Sequence, residues 1–269
     1  MPLRRLRSLT DMKLPTVRLA FALLLAMVPL GADAAQWLFV SPKGSDEGQC
    51  ESLEKPCATI GRACSVANNS TDRVTTIIVA GGLYQNNTLC NIHYHRVVSV
   101  VGDCMNHPDI VLSGNDSAFH AEDSAILGVN CVDIRSSGSH SIAFASRQFA
   151  IMDVADVRIG QLADGAVMHA DEMSKINCTS GVVLYGSVGY VAEADMISTI
   201  ILGCAFRFEN TPQINAIAVA RQKSLILAER ASWVGAFFGQ KYICTDSQID
   251  GATTMPGTDS SLVNNCLAR

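Results

Sequence analysis

The second half of this chain repeats with a period of about 25 residues, and that period restricts its possible folds more than any other feature. Small residues return at one phase, Ala121, Ala145, Ala170, Ala194, Ala220 and Thr245, at intervals of 24, 25, 24, 26 and 25 residues. Six positions after the first five stands an aliphatic residue: Leu127, Ile151, Ile176, Ile200 and Ile226. Two positions before each of the six lies an apolar or small one: Phe119, Ala143, Met168, Ala192, Ala218 and Ile243. A fixed period of this length predicts one structural unit stacked on copies of itself, none able to bury its apolar face alone.

The kind of unit follows from local alternation. Ala192-Glu193-Ala194-Asp195 and Ala218-Val219-Ala220-Arg221 have the period of two that belongs to strands. No repeat carries the i, i+3, i+4, i+7 apolar spacing of a helix. Val132 and Ile134, Val157 and Ile159, Val182 and Leu184, and Phe206 and Phe208 form a second strand column at the same period. Each turn is therefore expected to hold at least two short strands. The fold class is all-β: a parallel solenoid whose turns hydrogen-bond to one another roughly 4.8 Å apart. A β-sandwich would supply the strands but not the return of side-chain types at one phase.

The first 34 residues are expected to be a secretory signal. Arg4, Arg5, Arg7, Lys13 and Arg18 precede an apolar run from Leu19 to Leu30, and Ala32-Asp33-Ala34 is a small-x-small cleavage pattern. That run is too short to cross a membrane, so the product is expected to be secreted or periplasmic after cleavage near Ala34, with no membrane span. The remaining 235 residues suit one domain of about eight or nine turns. Its N-terminal cap is placed at about 36–70 and its coils at about 74–269. Losing the signal changes the formal net charge from −5 to −8, with 15 basic residues against 23 acidic. An acidic exterior argues against nucleic acid as the partner.

All ten cysteines follow the signal, an even number in an exported chain, which predicts disulfides. Cys50 and Cys57 flank a short loop, while Cys178 with Cys204 and Cys244 with Cys266 lie about one turn apart. Cys64, Cys90, Cys104 and Cys131 remain unassigned. The spacings are wide and hold no C-x2-C pair, so no zinc site is expected, and no motif implies any other metal or a cofactor.

The N-terminal part of the exported chain has its own pattern. Trp37-Leu38-Phe39-Val40 reads as a strand and Ser41-Pro42-Lys43-Gly44-Ser45-Asp46 as a turn. Thr59 can cap a helix whose residues Ile60, Ala63, Cys64 and Ala67 share one face, and Thr76-Ile77-Ile78-Val79 leads to Gly81-Gly82 and Tyr84. This order, from Phe39 to Tyr84, resembles the beginning of right-handed parallel β-helix proteins of the pectate-lyase-like superfamily. In those, a V-S-P-x-G-x-D turn, a P-x-A-T-I-x-x-A helix and an I-x-V-x-P-G-x-Y strand come in sequence; Gly81 stands here where the family usually has Pro. The resemblance implies a right-handed, single-stranded parallel β-helix with a short N-terminal capping helix. It implies no reaction, because the superfamily joins lyases, hydrolases, epimerases, tailspikes and adhesins. Neither the calcium-binding aspartates of its lyases nor the Asn-Thr-Asp, Asp-Asp and Gly-His-Gly elements of its hydrolases occur here; Gly138-Ser139-His140 is no match.

Candidate site residues come instead from the repeat. If each small residue and the one two before it point inward, the residues on either side of it point outward. The expected outward pairs are His120 and Glu122, Phe144 and Ser146, His169 and Asp171, Glu193 and Asp195, Val219 and Arg221, and Cys244 and Asp246. Asp171, Glu193 and Asp195 offer paired carboxylates at spacings that suit glycoside hydrolysis, and like charges so close raise one pKa, as a general acid needs. His169 is a candidate acid or base. His120, Glu122, Phe144 and Arg221 are candidates for binding substrate, with Phe144 as a platform for a sugar ring. The expected partner is an extended polysaccharide or cell-surface glycan, bound and cleaved, if the protein is an enzyme, by a hydrolase or lyase reaction. Two alternatives stay open: a structural or adhesive surface protein whose solvated face carries carboxylates by default, and a trimeric tailspike-like fragment. No sequence feature sets the oligomeric state.

Overall fold

The computed structural model describes residues 35–85, 90–115, 117–258, 260–263 and 265–269. The expected signal, residues 1–34, lies outside the described residues. Residues Ala35–Arg269 form one unit, built of three short strands per turn. Among the described residues the strands make parallel sheets of ten, eight and seven members. The ten-stranded sheet runs from Gln36–Val40 to Leu267–Ala268, the eight-stranded from Cys90–Ile92 to Ser260–Val263, and the seven-stranded from Leu83–Gln85 to Ser232–Val234. This is a parallel β-helix, as the period requires. The seven-stranded sheet sets seven complete turns, fewer than the eight or nine expected, because the cap loop and helix consume residues 41–73 and the closing loop takes 251–258.

Stacking in register places like side chains in files. Leu127, Met152, Ile176, Ile200, Ile226 and Ile249 follow one another along the ten-stranded sheet, every one of them wholly buried. In the seven-stranded sheet, Val157, Val182, Phe206 and Trp233 form another file beside Ile134, Ile159, Leu184 and Phe208. Burying one such aliphatic side chain contributes about 1.5–3 kcal/mol, so the recurring phase is also the main source of stability.

The small-residue file of the eight-stranded sheet is Ala121, Ser146, Ala170, Ala194, Ala220 and Cys244. Ala145 and Thr245, expected in it, each lie one residue off, and the same slip puts Met152 rather than Ile151 in the aliphatic file. Ala145 and Ser146 are both small, so size alone cannot set the phase. Ser146 enters the core without losing a hydrogen bond, because its hydroxyl donates to the Ala150 carbonyl at 3.1 Å.

Beyond this sheet the chain turns a corner through two successive left-handed residues: Gln148 and Phe149, Glu172 and Met173, Met196 and Ile197, Gln222 and Lys223. Such a conformation costs a non-glycine residue roughly 1–2 kcal/mol. It is offset by hydrogen bonds to the next turn, in which Met173 N donates to Met196 O at 3.0 Å and Lys223 N to Asp246 O at 2.7 Å. Buried serines follow in a ladder, with Ser174 N donating to Ser198 Oγ at 3.2 Å and Ser198 N to Ser224 Oγ at 3.3 Å.

Both ends of the core are closed. Helix α1 (Ile60–Asn69) starts at Thr59, whose Oγ1 accepts from Arg62 N, and buries Ile60, Ala63, Cys64, Val66 and Ala67 over the first turn. At the other end Ala252 and Met255, from the loop after the last complete turn, join the core. Disulfides link Cys50–Cys57, Cys64–Cys90, Cys104–Cys131, Cys178–Cys204 and Cys244–Cys266, leaving no free cysteine among the described residues. The pairs not assigned from sequence, 64–90 and 104–131, are also about one turn apart. A bridge closing a loop of that length contributes about 3–4 kcal/mol in the chain-entropy model. Disulfides in this number fit an extracellular or periplasmic protein, and no described helix is long and apolar enough to cross a membrane.

Candidate functional site

The outer face of the eight-stranded sheet carries most of the candidate site residues. Along its strands Leu162–Ala170, Val188–Ala194 and Gln213–Arg221, two consecutive residues enter the core: Val167 and Met168, Val191 and Ala192, Ile217 and Ala218. A flat strand cannot do this, so each strand bends there. His169 and Glu193 come directly after the bend and Tyr190 directly before it, and all three border one hollow on the outside. The ladder then continues past the small-residue file: Arg147 N donates to Ala121 O, Asp171 N to Ser146 O and Asp195 N to Ala170 O, each at 2.9 Å.

Two outward files result. The first holds His120, Ala145, His169, Glu193, Val219 and Ile243; the second holds Glu122, Arg147, Asp171, Asp195, Arg221 and Thr245. His120, Glu122, His169, Asp171, Glu193, Asp195 and Arg221 lie where the repeat predicts. Phe144 does not: it is fully buried and stacks on Phe119 with ring centroids 5.9 Å apart, so it offers no platform to a ligand. Ser146 lies in the core, Cys244 is buried in a disulfide, and Asp246 sits at the corner in the left-handed region. The single-residue slip explains these corrections, and it also hid Arg147, which takes the place expected of Ser146.

Four of the expected residues form one cluster. His169 Nδ1 lies 3.1 Å from Glu193 Oε2. Arg221 Nη1 donates to Glu193 Oε1 at 2.6 Å and lies 3.5 Å from Asp195 Oδ2. The three side chains His169, Glu193 and Asp195 are 13%, 14% and 17% exposed, shielded enough for electrostatics to matter. Burial alone would raise the Glu193 carboxyl, but the hydrogen bonds and charges of His169 and Arg221 together hold it below the usual range. For Asp195 burial wins: with Glu193 and Asp171 adding repulsion, its carboxyl is raised despite Arg221. Two neighbouring carboxylates are thereby driven in opposite directions.

Asp171 stands beside the cluster, acting on Asp195 through space, while its Oδ1 accepts from Glu172 N at 2.8 Å. His120 and Glu122 belong to a separate group nearer the cap. There Glu122 accepts from Asn91 Nδ2 at 2.8 Å and lies 3.5 Å from His93 Nδ1. His120 Nε2 is buried with no hydrogen-bond partner among the described residues, and burial lowers the His120 pKa.

The cluster opens onto a groove. A hollow of about 430 Å³ reaches His169 and Glu193 and is walled by Arg147, Asp164, Tyr190 and Asn215 among others. A second, of about 570 Å³, shares Tyr190 and Asn215 with it and extends to Phe238 and Gln240. The groove forms where the pairing register shifts between Leu162 and Ala166. Gly165 permits that shift, because a Cβ there would overlap the Ser141 carbonyl oxygen. Sequence reasoning missed Tyr190 because strict alternation back from Ala194 turns it inward, and only the bend reverses it.

Ligand atoms of His169, Glu193 and Asp195 lie within 4.8 Å of one another, a spacing that a metal ion would accept. The guanidinium of Arg221 already supplies positive charge to both carboxylates, so the group reads more simply as an arginine-bridged acid pair.

The fold and this face together define a disulfide-linked parallel β-helix protein with an acidic groove on one sheet. No family model and no curated protein matches the chain. Among solved structures, a crystal structure of Escherichia coli YbhC is similar with a TM-score of 0.35 and 10% identity, over 83% of this chain and 75% of that one. A likeness of that size carries no argument about activity.

Proposed function

We propose that the protein is exported, with residues 1–34 as a signal cleaved after Ala34, and that its groove binds and hydrolyses an extended polysaccharide. The observation that carries this reading is the Glu193 and Asp195 pair, bridged by one guanidinium and pushed apart in acidity beside an open groove. A carboxyl made less acidic beside one made more acidic is the division of roles that glycosidic cleavage uses. Their ligand oxygens fall within 4.8 Å, a spacing nearer the retaining geometry of about 5 Å than the inverting one. Asp195 would protonate the leaving oxygen and later deprotonate water, while Glu193 would attack the anomeric carbon. Arg221 and His169 keep Glu193 ionised and oriented.

The test is release of reducing ends from a polysaccharide panel. Asp195→Asn and Glu193→Gln should each lower turnover by about 10²–10⁴-fold, and Asp171→Asn should shift its pH profile by relieving the repulsion on Asp195. Turnover unchanged in the first two variants would sink the assignment. One observation favours the adhesive alternative: both Glu193 oxygens are already engaged, which suits a binding face. That reading requires glycan binding without turnover.

A further inference from the structure

We infer that the polysaccharide taken by this groove is uncharged, one of its sugar rings being held between Tyr190 and Phe238 next to the acid pair; this rests on the glycan reading above. The second hollow is lined by Tyr190, Gln213, Asn215, Phe238 and Gln240 with some aliphatic and glycine surface, and by no Asp, Glu, Lys, Arg or His. Aromatic faces and side-chain amides are the chemistry of a neutral sugar, whose C–H faces stack and whose hydroxyls both donate and accept.

Three details support it. Phe238 is 68% exposed, a large apolar ring left in water at a groove. Tyr190, Ala216 and Gln240 lie in one file, so two turns, roughly 10 Å, separate Tyr190 from Gln240. Gln240 Oε1 is buried with no hydrogen-bond partner among the described residues, an acceptor that a sugar hydroxyl would satisfy.

Charge excludes the alternative. Asp164 and Glu193 line the first hollow with Asp195 next to Glu193, and Arg221 is spent on Glu193 and Asp195. Arg147 alone cannot neutralise a glycan bearing a carboxylate on every ring, and the aromatic end has no cation at all.

Calorimetry of the full chain with cellohexaose, xylohexaose, mannohexaose and hexagalacturonate tests this. At least one neutral hexamer should bind, with hexagalacturonate about tenfold weaker or worse. Phe238→Ala and Tyr190→Ala should each weaken the neutral ligand about tenfold, the loss of one aromatic contact. Phe238→Tyr should restore it, and Asp195→Asn should leave binding nearly unchanged while removing turnover. Tighter binding of hexagalacturonate, or neutral binding indifferent to Phe238→Ala, would overturn the inference and leave the glycan reading standing. Failure of all four hexamers to bind would overturn both.

Discussion

Two charged ladders run along this β-helix, on the outer faces of different sheets, and only one has the makings of a site. On the seven-stranded sheet Asp109 takes two hydrogen bonds from Arg135, at 3.0 and 2.7 Å. Asp133 takes one from Arg158 at 3.3 Å and one from the Tyr185 hydroxyl at 2.6 Å. Glu209 lies 3.3 Å from Arg207 and 3.8 Å from Arg158. Each carboxylate there has an arginine, and none of the three lines a hollow among those found around the described residues. On the eight-stranded sheet Glu193 and Asp195 share one arginine, and His169 and Glu193 open on a groove. Burial raises the Asp133 carboxyl just as it does Asp195, so a perturbed acid by itself does not mark a site. An unbalanced charge next to open space does.

The contrast presupposes that both ladders are solvated faces of one buried core, and the largest effect tests that. Ile200 is fully buried, whereas its neighbour Ile201 points outward and is half-buried. Ile200→Asp forfeits about 1.5–3 kcal/mol of burial and adds an unpaired charge costing several more, comparable with the whole stability of a domain. Circular dichroism should show no folded protein, while Ile201→Asp should fold with near-native melting. Equal outcomes would overturn the inward and outward assignment on which both ladders depend. Next in size, Tyr185→Phe removes a hydrogen bond from partly buried Asp133 and should cost about 1–2 kcal/mol in urea unfolding, with glycan binding and turnover untouched. If turnover fell instead, the seven-stranded face would have been wrongly set aside.

Much of this architecture was legible because the solenoid writes itself as a period. Ala170, Ala194 and Ala220 and the file Ile176, Ile200, Ile226 fall where the spacing puts them, and so do His169, Glu193, Asp195 and Arg221. What the spacing could not carry were local departures from it. Ala145 and Ser146 are interchangeable by size, so the phase slipped by one, turned a buried Phe144 outward and put Ser146 where Arg147 stands. The bend at Val191 and Ala192 reverses the parity that hid Tyr190, and nothing in the composition announces two consecutive inward residues. The left-handed corners use Gln148, Glu172 and Met196 where glycine or asparagine would have signalled them. Pairing Cys64 with Cys90 required knowing that the cap helix lies over the first turn.

The smallest effect separates the two site carboxylates by the sign of their pH dependence. Folding lowers the Glu193 pKa, so its ionised form contributes stability above the unfolded value, and that contribution disappears as pH falls through the lowered pKa. Folding raises the Asp195 pKa, so its ionised form opposes folding above the raised value, and the opposition vanishes below the ordinary carboxylate range. At neutral pH, Glu193→Gln should therefore melt below the native protein and Asp195→Asn at or above it. Both differences should shrink toward zero on acidification, that of Asp195→Asn first, because its native carboxyl takes up its proton at the higher pH. Melting curves from neutral to strongly acidic pH would measure this. Two differences of the same sign would mean that Arg221 serves both carboxylates equally, which would leave this face another balanced ladder.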